Sequence, residues 1–520
     1  MFELDHQAFS FSPRGIVVFL VDHSWLLPFV TTLVVAGLYL VWACFFDPLR
    51  NVPGPLAARV TPFWLTLQCR LFRRSAAIHE LHRKYGEIVR IGPNNLSIVS
   101  KGCLQQVYGS NSGTSKGPFY DVFRPKVPII FSARDNFFHS RRRKDLTPAF
   151  SKSALRGFEP YMSTQMLNLK HALTRKVEAG GGVAFLNFAP WANYLAFDVI
   201  ANFVFGESFG FIDAGYDFHN LISTIDLRMQ CLNALGTVPG WARPLMKWMP
   251  LDSFWRQNLT TTMNLQALAR TSTEARKKQI SVDRDDMLSF LIKAKQENGM
   301  PLPDESIIAE AASFVSGGSD STSTTLTHFV DFVSRRPDAA RRLQDELDAA
   351  FSGPQPSDWV PSEEIVGNLP FLTALLKETM RLRPTSAAGL ERITGKEMTI
   401  GEYVIPRGIL VSVPTYTLHR REDVFPNPDQ FIPERWLEGD SAAMTASWAP
   451  FSYGTRSCLG KHFAWMELSK AAAMLFKEFD VVRASEAETV LQEGFFMKGS
   501  ECNVILIKRE QMRHSSPGNM

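Results

Sequence analysis

The stretch PFSYGTRSCLGKHFAWMEL, Pro450 to Leu468, places one cysteine, Cys458, between Gly454 and Gly460, two residues after Arg456 and just ahead of a helix-like run. Three readings are open for that sulfur: a small buried apolar side chain, half of a disulfide, or a ligand. A free cysteine standing alone is most often the first of these. The other cysteines bear on the second. Cys44, Cys69, Cys103, Cys231 and Cys502 are widely scattered, with no CxxC or Cys/His cluster of zinc-site spacing. A disulfide framework is not expected if the chain beyond its N-terminus faces a reducing compartment.

The N-terminus decides that compartment. Residues Ser24–Phe46, SWLLPFVTTLVVAGLYLVWACFF, run for 23 residues without a charge. As a helix rising ~1.5 Å per residue they span about 34 Å, enough for a hydrocarbon core ~30 Å thick. Trp25 and Trp42 fall near the two ends, where an interface favours them. A cleaved signal peptide or a buried core helix are the alternatives, but the run is long for a signal peptide and no basic cluster precedes it. Arg14 is the only basic residue before it, whereas Arg50, Arg59, Arg70, Arg73 and Arg74 follow. By the positive-inside rule the bulk of the chain is cytosolic. The expected organisation is a short luminal segment 1–23, a transmembrane anchor 24–46, a Pro-rich joint 47–56 containing NVPGPL, and one catalytic unit 57–520. The sequons at Asn95 and Asn258 would then go unused.

The 520 residues exceed the size at which a single core usually stops growing, so one large domain or two fused lobes are both open. Hydrophobic content of 45% and charged content of 21% describe an ordinary globular protein, and a net charge of +4 argues against dedicated nucleic-acid binding. Residues 84–100, KYGEIVRIGPNNLSIVS, alternate short β-rich runs with Gly and Asn, and predict hairpin strands. Helical periodicity dominates from Phe150 onward, and its longest pattern runs from Pro303 to Arg336, where Asp304 and Glu305 suit the N-terminal dipole. A further helix, FLTALLKETMRLRP, ends at Pro384, and short strands return over 393–415. The chain reads as mainly α with a smaller β part.

The spacing around Cys458 changes its odds. Phe451, Gly454, Arg456, Cys458 and Gly460 form F-x-x-G-x-R-x-C-x-G, which resembles the haem-binding loop of the cytochrome P450 superfamily. That resemblance implies the P450 fold, a triangular prism of helices, and haem b (iron protoporphyrin IX) held through the Cys458 thiolate. Gly454 and Gly460 permit the turn and a close approach to a flat macrocycle. Arg456 would pair with a propionate, backbone amides and iron would keep the sulfur deprotonated, and Phe451 would shield it from water. Thiolate ligation of this kind favours O–O cleavage in the family.

Further signals agree. Glu378 and Arg381 form an E-x-x-R on one face of an apolar helix. PERW, Pro433–Trp436, follows, and the resemblance joins Arg435 to them in a buried structural triad. GGSDSTST, Gly317–Thr324, puts two costly glycines inside the longest helix, where a distortion and small side chains could leave a groove for dioxygen. The family pattern implies that Asp320 feeds a proton relay through Ser321, which stands where threonine is usual; Thr322 is the alternative hydroxyl. In HSRRRK, His139 and Arg143 match a pair that touches the propionates, while Arg141, Arg142 and Lys144 would face an acidic electron-donating partner. Arg392 matches another propionate-pairing arginine, and His419 is either a haem contact or a core histidine. Three loops would line the substrate pocket, with Phe119, Phe123, Leu390, Phe495 and Phe496 giving it an aromatic character.

The resemblance runs from the Pro-rich joint to about residue 508 and looks most like fungal microsomal members, including benzoate para-hydroxylases and tailoring enzymes of secondary metabolism. It implies a monooxygenase of the endoplasmic reticulum membrane acting on a small to medium apolar or aromatic substrate and O2. NADPH-cytochrome P450 reductase would deliver electrons from NADPH through FAD and FMN, with cytochrome b5 as a second donor. Benzoate-type para-hydroxylation is the alternative within that chemistry. A reductase-independent haem-thiolate isomerase or dehydratase and a non-catalytic haem sensor are the rivals outside it.

Overall fold

The computed structural model describes residues 26–509, apart from 125, 219, 247–253, 279–285, 297, 354 and 439–441. The expected segment 1–23, together with Ser24, Trp25 and 510–520, lies outside the described residues. The helices that matter here are α1 (Leu26–Phe45), α2 (Asn136–Leu146), α3 (Lys152–Ala179), α4 (Phe188–Phe205), α5 (Leu221–Thr237), α6 (Phe254–Lys278), α7 (Asp304–Ser334), α8 (Pro370–Leu382) and α9 (Lys461–Glu478).

Helix α7 is the axis of the molecule. Its 31 residues are helical throughout, Gly317 and Gly318 included. It packs along α4, whose sequence FAPWANYLAFDVIANFVF is apolar on nearly every side and buried accordingly. Gly318 permits that approach: a Cβ there would lie 2.6 Å from Cδ1 of Ile200. Helices α8 and α9 close the other side of α7, and one continuous core joins these elements.

Ile88–Gly92 (β1) and Asn95–Ile98 (β2) form the expected hairpin. They belong to a five-stranded sheet in the order β1-β2-β5-β4-β3, with Thr114–Lys116 as β3, Arg392–Thr394 as β4 and Leu410–Ser412 as β5. In it β3 runs antiparallel to β4, and Lys116 pairs directly with Arg392. The turn at 494–496 joins two strands of a separate hairpin.

The Pro-rich joint, residues 47–56, is tied to β1. Asp47 and Arg90 make a buried ion pair, the Arg90 N–H donates to the Pro53 carbonyl at 2.7 Å, and Leu49 and Val52 are buried. Helix α1 covers twenty residues of the uncharged stretch, about 30 Å at ~1.5 Å per residue. Among the described residues no helix is long and apolar enough to cross a membrane.

Candidate functional site

The Cys458 loop is closed by backbone geometry that only glycine allows at one point. Gly454 has φ +72, and a Cβ there would lie 1.9 Å from the Tyr108 carbonyl oxygen. Tyr108 cannot yield, because its hydroxyl is tied to Leu390 and to the Val413 N–H. The Cys458 N–H donates to the Phe451 carbonyl at 2.9 Å. Gly460 differs from the expectation: its φ is −84, and a Cβ would meet only Phe150 at 3.6 Å. The turn therefore needs glycine at 454 alone. Gly460 leads into α9 and offers its N–H to the Cys458 sulfur.

Cys458 lies inside the protein envelope yet keeps accessible surface, because its sulfur faces a cavity of about 530 Å³. Burial raises its thiol pKa, opposed by the Gly460 N–H and by the charges of Arg143 and Lys461. The cavity falls in the range of small-molecule and cofactor sites. Phe451, Arg456, Gly460, His139, Arg143, Arg392 and Ser321 all line it, as do Phe123, Leu390, Phe495 and Phe496.

One wall of this cavity is a cluster of cations. Arg456 donates to the Ala133 carbonyl and to Asn136 Oδ1, both at 2.7 Å, and Arg143 donates to the Ser457 carbonyl at 2.8 Å. Lys116, which the sequence reading missed, donates to the Phe131 carbonyl and lies 4.1 Å above the Tyr120 ring. Arg392 gives Nη1 to the Glu391 carbonyl at 3.0 Å, while its buried Nη2 has no partner. Among the described residues none of these four forms a salt bridge with a carboxylate. Burial, then Arg392 and Arg456, push Lys116 well below the usual lysine range. Burial, then Arg456 and Lys116, push His139 down to about 3, so it is neutral. A buried group of cations without counter-ions fits an anionic cofactor edge, and the two propionates of haem b meet that need. The donor set thus agrees with a thiolate at the centre and carboxylates at the rim.

Helix α7 presents Gly317, Ser321, Thr322 and Thr325 to the same cavity. No atom lies within 4 Å of a Cβ built at Gly317, so its missing side chain opens space there. The Ser321 hydroxyl donates to the Gly317 carbonyl at 2.8 Å. Asp320 does not reach the cavity. Its Oδ1 accepts from Lys498 Nζ at 2.9 Å, Lys498 also bridges to Asp226 of α5, and Oδ2 is buried without a partner. Burial, partly offset by Lys498, pushes Asp320 up to about 6. Asp320 therefore stands behind Ser321 rather than in the cavity, because helical geometry turns its side chain ~100° away from that of its neighbour.

Phe119 is a second correction. It is buried behind the wall, against Gly236 of α5, and stacks on Phe495 with ring centroids 6.3 Å apart. Phe131 takes its place at the surface, edge-on to Phe123 at 5.5 Å. His419 is a core histidine: Nε2 accepts from the Ala449 N–H at 2.9 Å, Nδ1 bonds the Arg381 carbonyl, and burial pushes its pKa down to about 3. Arg142 faces inward to Glu310 at 3.5 Å, so it is not part of a partner-facing basic patch.

Glu378, Arg381 and Arg435 stand together away from the cavity. Glu378 accepts from Arg381 Nε at 2.8 Å and Nη2 at 2.9 Å, from Arg435 Nε at 3.2 Å, and from the Ile432 N–H and Trp436 Nε1 at 2.9 Å each. Trp436 is a further member that the sequence reading left out.

A family model described as Cytochrome P450 matches residues 53–505. Benzoate 4-monooxygenase bphA of Aspergillus niger is 34% identical over 489 residues, covering 89% of this chain and 93% of the relative. Tryprostatin B 6-hydroxylase of Aspergillus fumigatus is 30% identical over 482 residues, covering 90% and 82%. A cytochrome P450 monooxygenase of Botryotinia fuckeliana is 30% identical over 475 residues, covering 89% and 86%.

Proposed function

This chain belongs to the cytochrome P450 family and is a haem-thiolate monooxygenase, and on that premise we propose that its substrate is a small to medium apolar or aromatic molecule of fungal secondary metabolism. The observation that carries the reading is the cavity itself, where the Cys458 sulfur shares one space with the Ser321 and Thr322 segment of α7, a cation cluster and a wall of phenylalanines. Haem b, when bound, supplies the activation of dioxygen.

The chain's own residues hold and orient. Cys458 would ligate the iron, and Lys116, Arg143, Arg392 and Arg456 would take the propionates, with neutral His139 as a hydrogen-bonding partner. Phe451 covers the sulfur side. The Ser321 hydroxyl, one residue from Asp320 but on the cavity face, is the group placed to pass protons; Asp320, Lys498 and Asp226 would set the charge behind it. Phe123, Phe131, Phe495 and Phe496 exclude water from the substrate side. One oxygen atom enters a C–H bond of the substrate and the other leaves as water, with two electrons drawn from NADPH. NADPH-cytochrome P450 reductase, through FAD and FMN, is the proposed donor, with cytochrome b5 as a second one.

Attachment to the endoplasmic reticulum membrane through residues 24–46, with the catalytic unit cytosolic, belongs to the same proposal. It is supported by apolar exposure on several sides of α1, at Phe29, Leu33, Val34, Leu38 and Trp42, and by exposed Leu56, Phe63, Leu67 and Trp241 on the segments after it. Benzoate-type para-hydroxylation is the second reading, favoured by the benzoate 4-monooxygenase relative. Nothing observed favours an isomerase, a dehydratase or a sensor.

The test is reconstitution with the reductase in lipid vesicles under isotopically labelled dioxygen. The expected result is substrate-dependent NADPH consumption with one labelled oxygen in the product. Turnover without the reductase, or a product without label, contradicts the proposal.

A further inference from the structure

Residues 126–135 lead into α2 without forming helix or strand. Three of them, Ile129, Ile130 and Phe131, line the cavity. Phe131 stands edge-on to Tyr120, Phe123 and Phe495, with ring centroids 5.7, 5.5 and 5.7 Å away, so its place sets the aromatic wall. A segment outside any helix or sheet takes its position from the groups that satisfy its backbone. On the cofactor side those groups are the cations of the rim. Lys116 donates to the Phe131 carbonyl, and Arg456 donates to the Ala133 carbonyl at 2.7 Å.

The remaining anchor is a carboxyl group outside the cofactor rim. The Ile130 N–H donates to Oε1 of Glu310 at 2.9 Å. Glu310 is fully buried in the first half of α7 and does not line the cavity, whereas Ala309 and Ala312 of the same turn do. Arg142 of α2 approaches the same oxygen, its Nε 3.5 Å away. The next residue, Arg143, belongs to the rim and holds the Ser457 carbonyl at 2.8 Å. One carboxyl thus joins α7, α2 and the segment before α2. Among the described residues its Oε2 has no partner, a costly state that space-filling alone does not call for.

We propose that Glu310 is a positioning residue for substrate selection: by holding the Ile130 N–H it fixes residues 129–131 against the substrate and so decides which ring-bearing molecules fit the cavity. This deepens the monooxygenase reading and rests on it, and it places a determinant of selectivity behind the cavity surface. A buried amide that loses its acceptor must find another, and the backbone has to move to reach one. Lys116 and Arg456 hold carbonyls after Ile130, so they do not restrain that amide. A displacement of ~1 Å is enough to matter at a site that orients a reacting molecule. At Phe131 it would pass to Phe123 and Phe495, because the three rings are packed edge to face. Burial, opposed by Arg142 and by the Ile130 N–H, raises Glu310 to about 7, and both of its protonation states keep an acceptor oxygen for Ile130. A glutamine offers the same oxygen at the same reach; an alanine offers none, and an aspartate is one methylene short.

The experiment is a titration of the oxidised holoenzyme with imidazole and with 1-phenylimidazole, read by the shift each causes in the haem spectrum. Imidazole reports the iron site, and the phenyl ring adds contact with the wall. Glu310→Ala is expected to weaken 1-phenylimidazole about tenfold while leaving imidazole unchanged. Glu310→Gln is expected to keep the wild-type ratio of the two affinities, and Glu310→Asp to fall between Gln and Ala. A ratio that Glu310→Ala leaves unchanged or raises, an equal loss for both ligands, or a Glu310→Gln protein as impaired as Glu310→Ala overturns the proposal. If Glu310→Ala does not fold, the contrast between Gln and Asp decides: equal ratios in those two overturn it. The reduced, CO-bound spectrum of the same preparations reports thiolate ligation independently, so failure of the haem-thiolate reading is visible separately from failure of the positioning role.

Discussion

Replacing Glu378 by alanine tests whether the buried triad is held by one carboxylate. Five donors converge on Glu378: two from Arg381, and one each from Arg435, Ile432 and Trp436. Glu378 and Arg381 are fully buried, and Arg435 nearly so. In Glu378→Ala the Arg381 guanidinium keeps its carbonyl partners, His419 at 2.9 Å, Pro428 at 2.6 Å and Gln430 at 2.9 Å, but loses its counter-charge. Breaking a buried pair from one side costs about 3–5 kcal/mol. That is a large share of a domain stability of roughly 5–15 kcal/mol. Arg435→Ala removes a longer contact and leaves the Glu378–Arg381 pair whole, so about 1–2 kcal/mol is expected. The assay is urea unfolding followed by far-UV circular dichroism and by haem absorbance, on both single variants and the double variant. Non-additivity of at least ~1 kcal/mol is expected, because Arg435 has lost its carboxylate partner once Glu378 is gone and keeps only the Pro426 carbonyl. A Glu378→Ala protein within about 0.5 kcal/mol of wild type, or strictly additive costs, refutes the reasoning.

Two other consequences can be measured. Ser321→Ala should raise peroxide formed per NADPH consumed and lower product formation by roughly tenfold, because a water must replace the hydroxyl; a larger effect from Thr322→Val would transfer the relay to Thr322. Burial, opposed by Arg142 and the Ile130 N–H, raises Glu310 to about 7 from its ordinary 4.5. The folded state then keeps a proton that the unfolded chain releases, so this group's contribution is fully present below about 4.5 and is lost as pH rises through about 7. The stability of wild type relative to Glu310→Gln should fall by on the order of 3 kcal/mol over that window and stay flat above it, as read from unfolding at a series of pH values.

What was legible in the sequence was what neighbouring residues decide together. The Cys458 loop, the Glu378–Arg381 spacing and the long helix through Gly317 are contiguous, so their geometry follows from helix and turn rules. The failures are all non-local or directional. Lys116 joins the cation cluster only because β3 pairs with β4 and sets it opposite Arg392. Phe119 and Phe131 exchange roles because a close contact with Gly236 of α5 pulls Phe119 behind the wall. Asp320 and Ser321 are adjacent in sequence, but ~100° of helix rotation per residue separates a carboxylate tied to Lys498 from a hydroxyl in the cavity. Arg142 reads as part of a basic surface run and is paired instead with Glu310 of α7, far along the chain.

The central claim is that the Cys458 sulfur is the iron ligand, and the reduced, CO-bound absorption spectrum tests it most directly. Wild-type protein is predicted to show the red-shifted Soret band of a thiolate-ligated haem. Cys458→Ala, folded and loaded with haem, is predicted to lose that band. A Cys458→Ala protein with an unchanged spectrum contradicts the account.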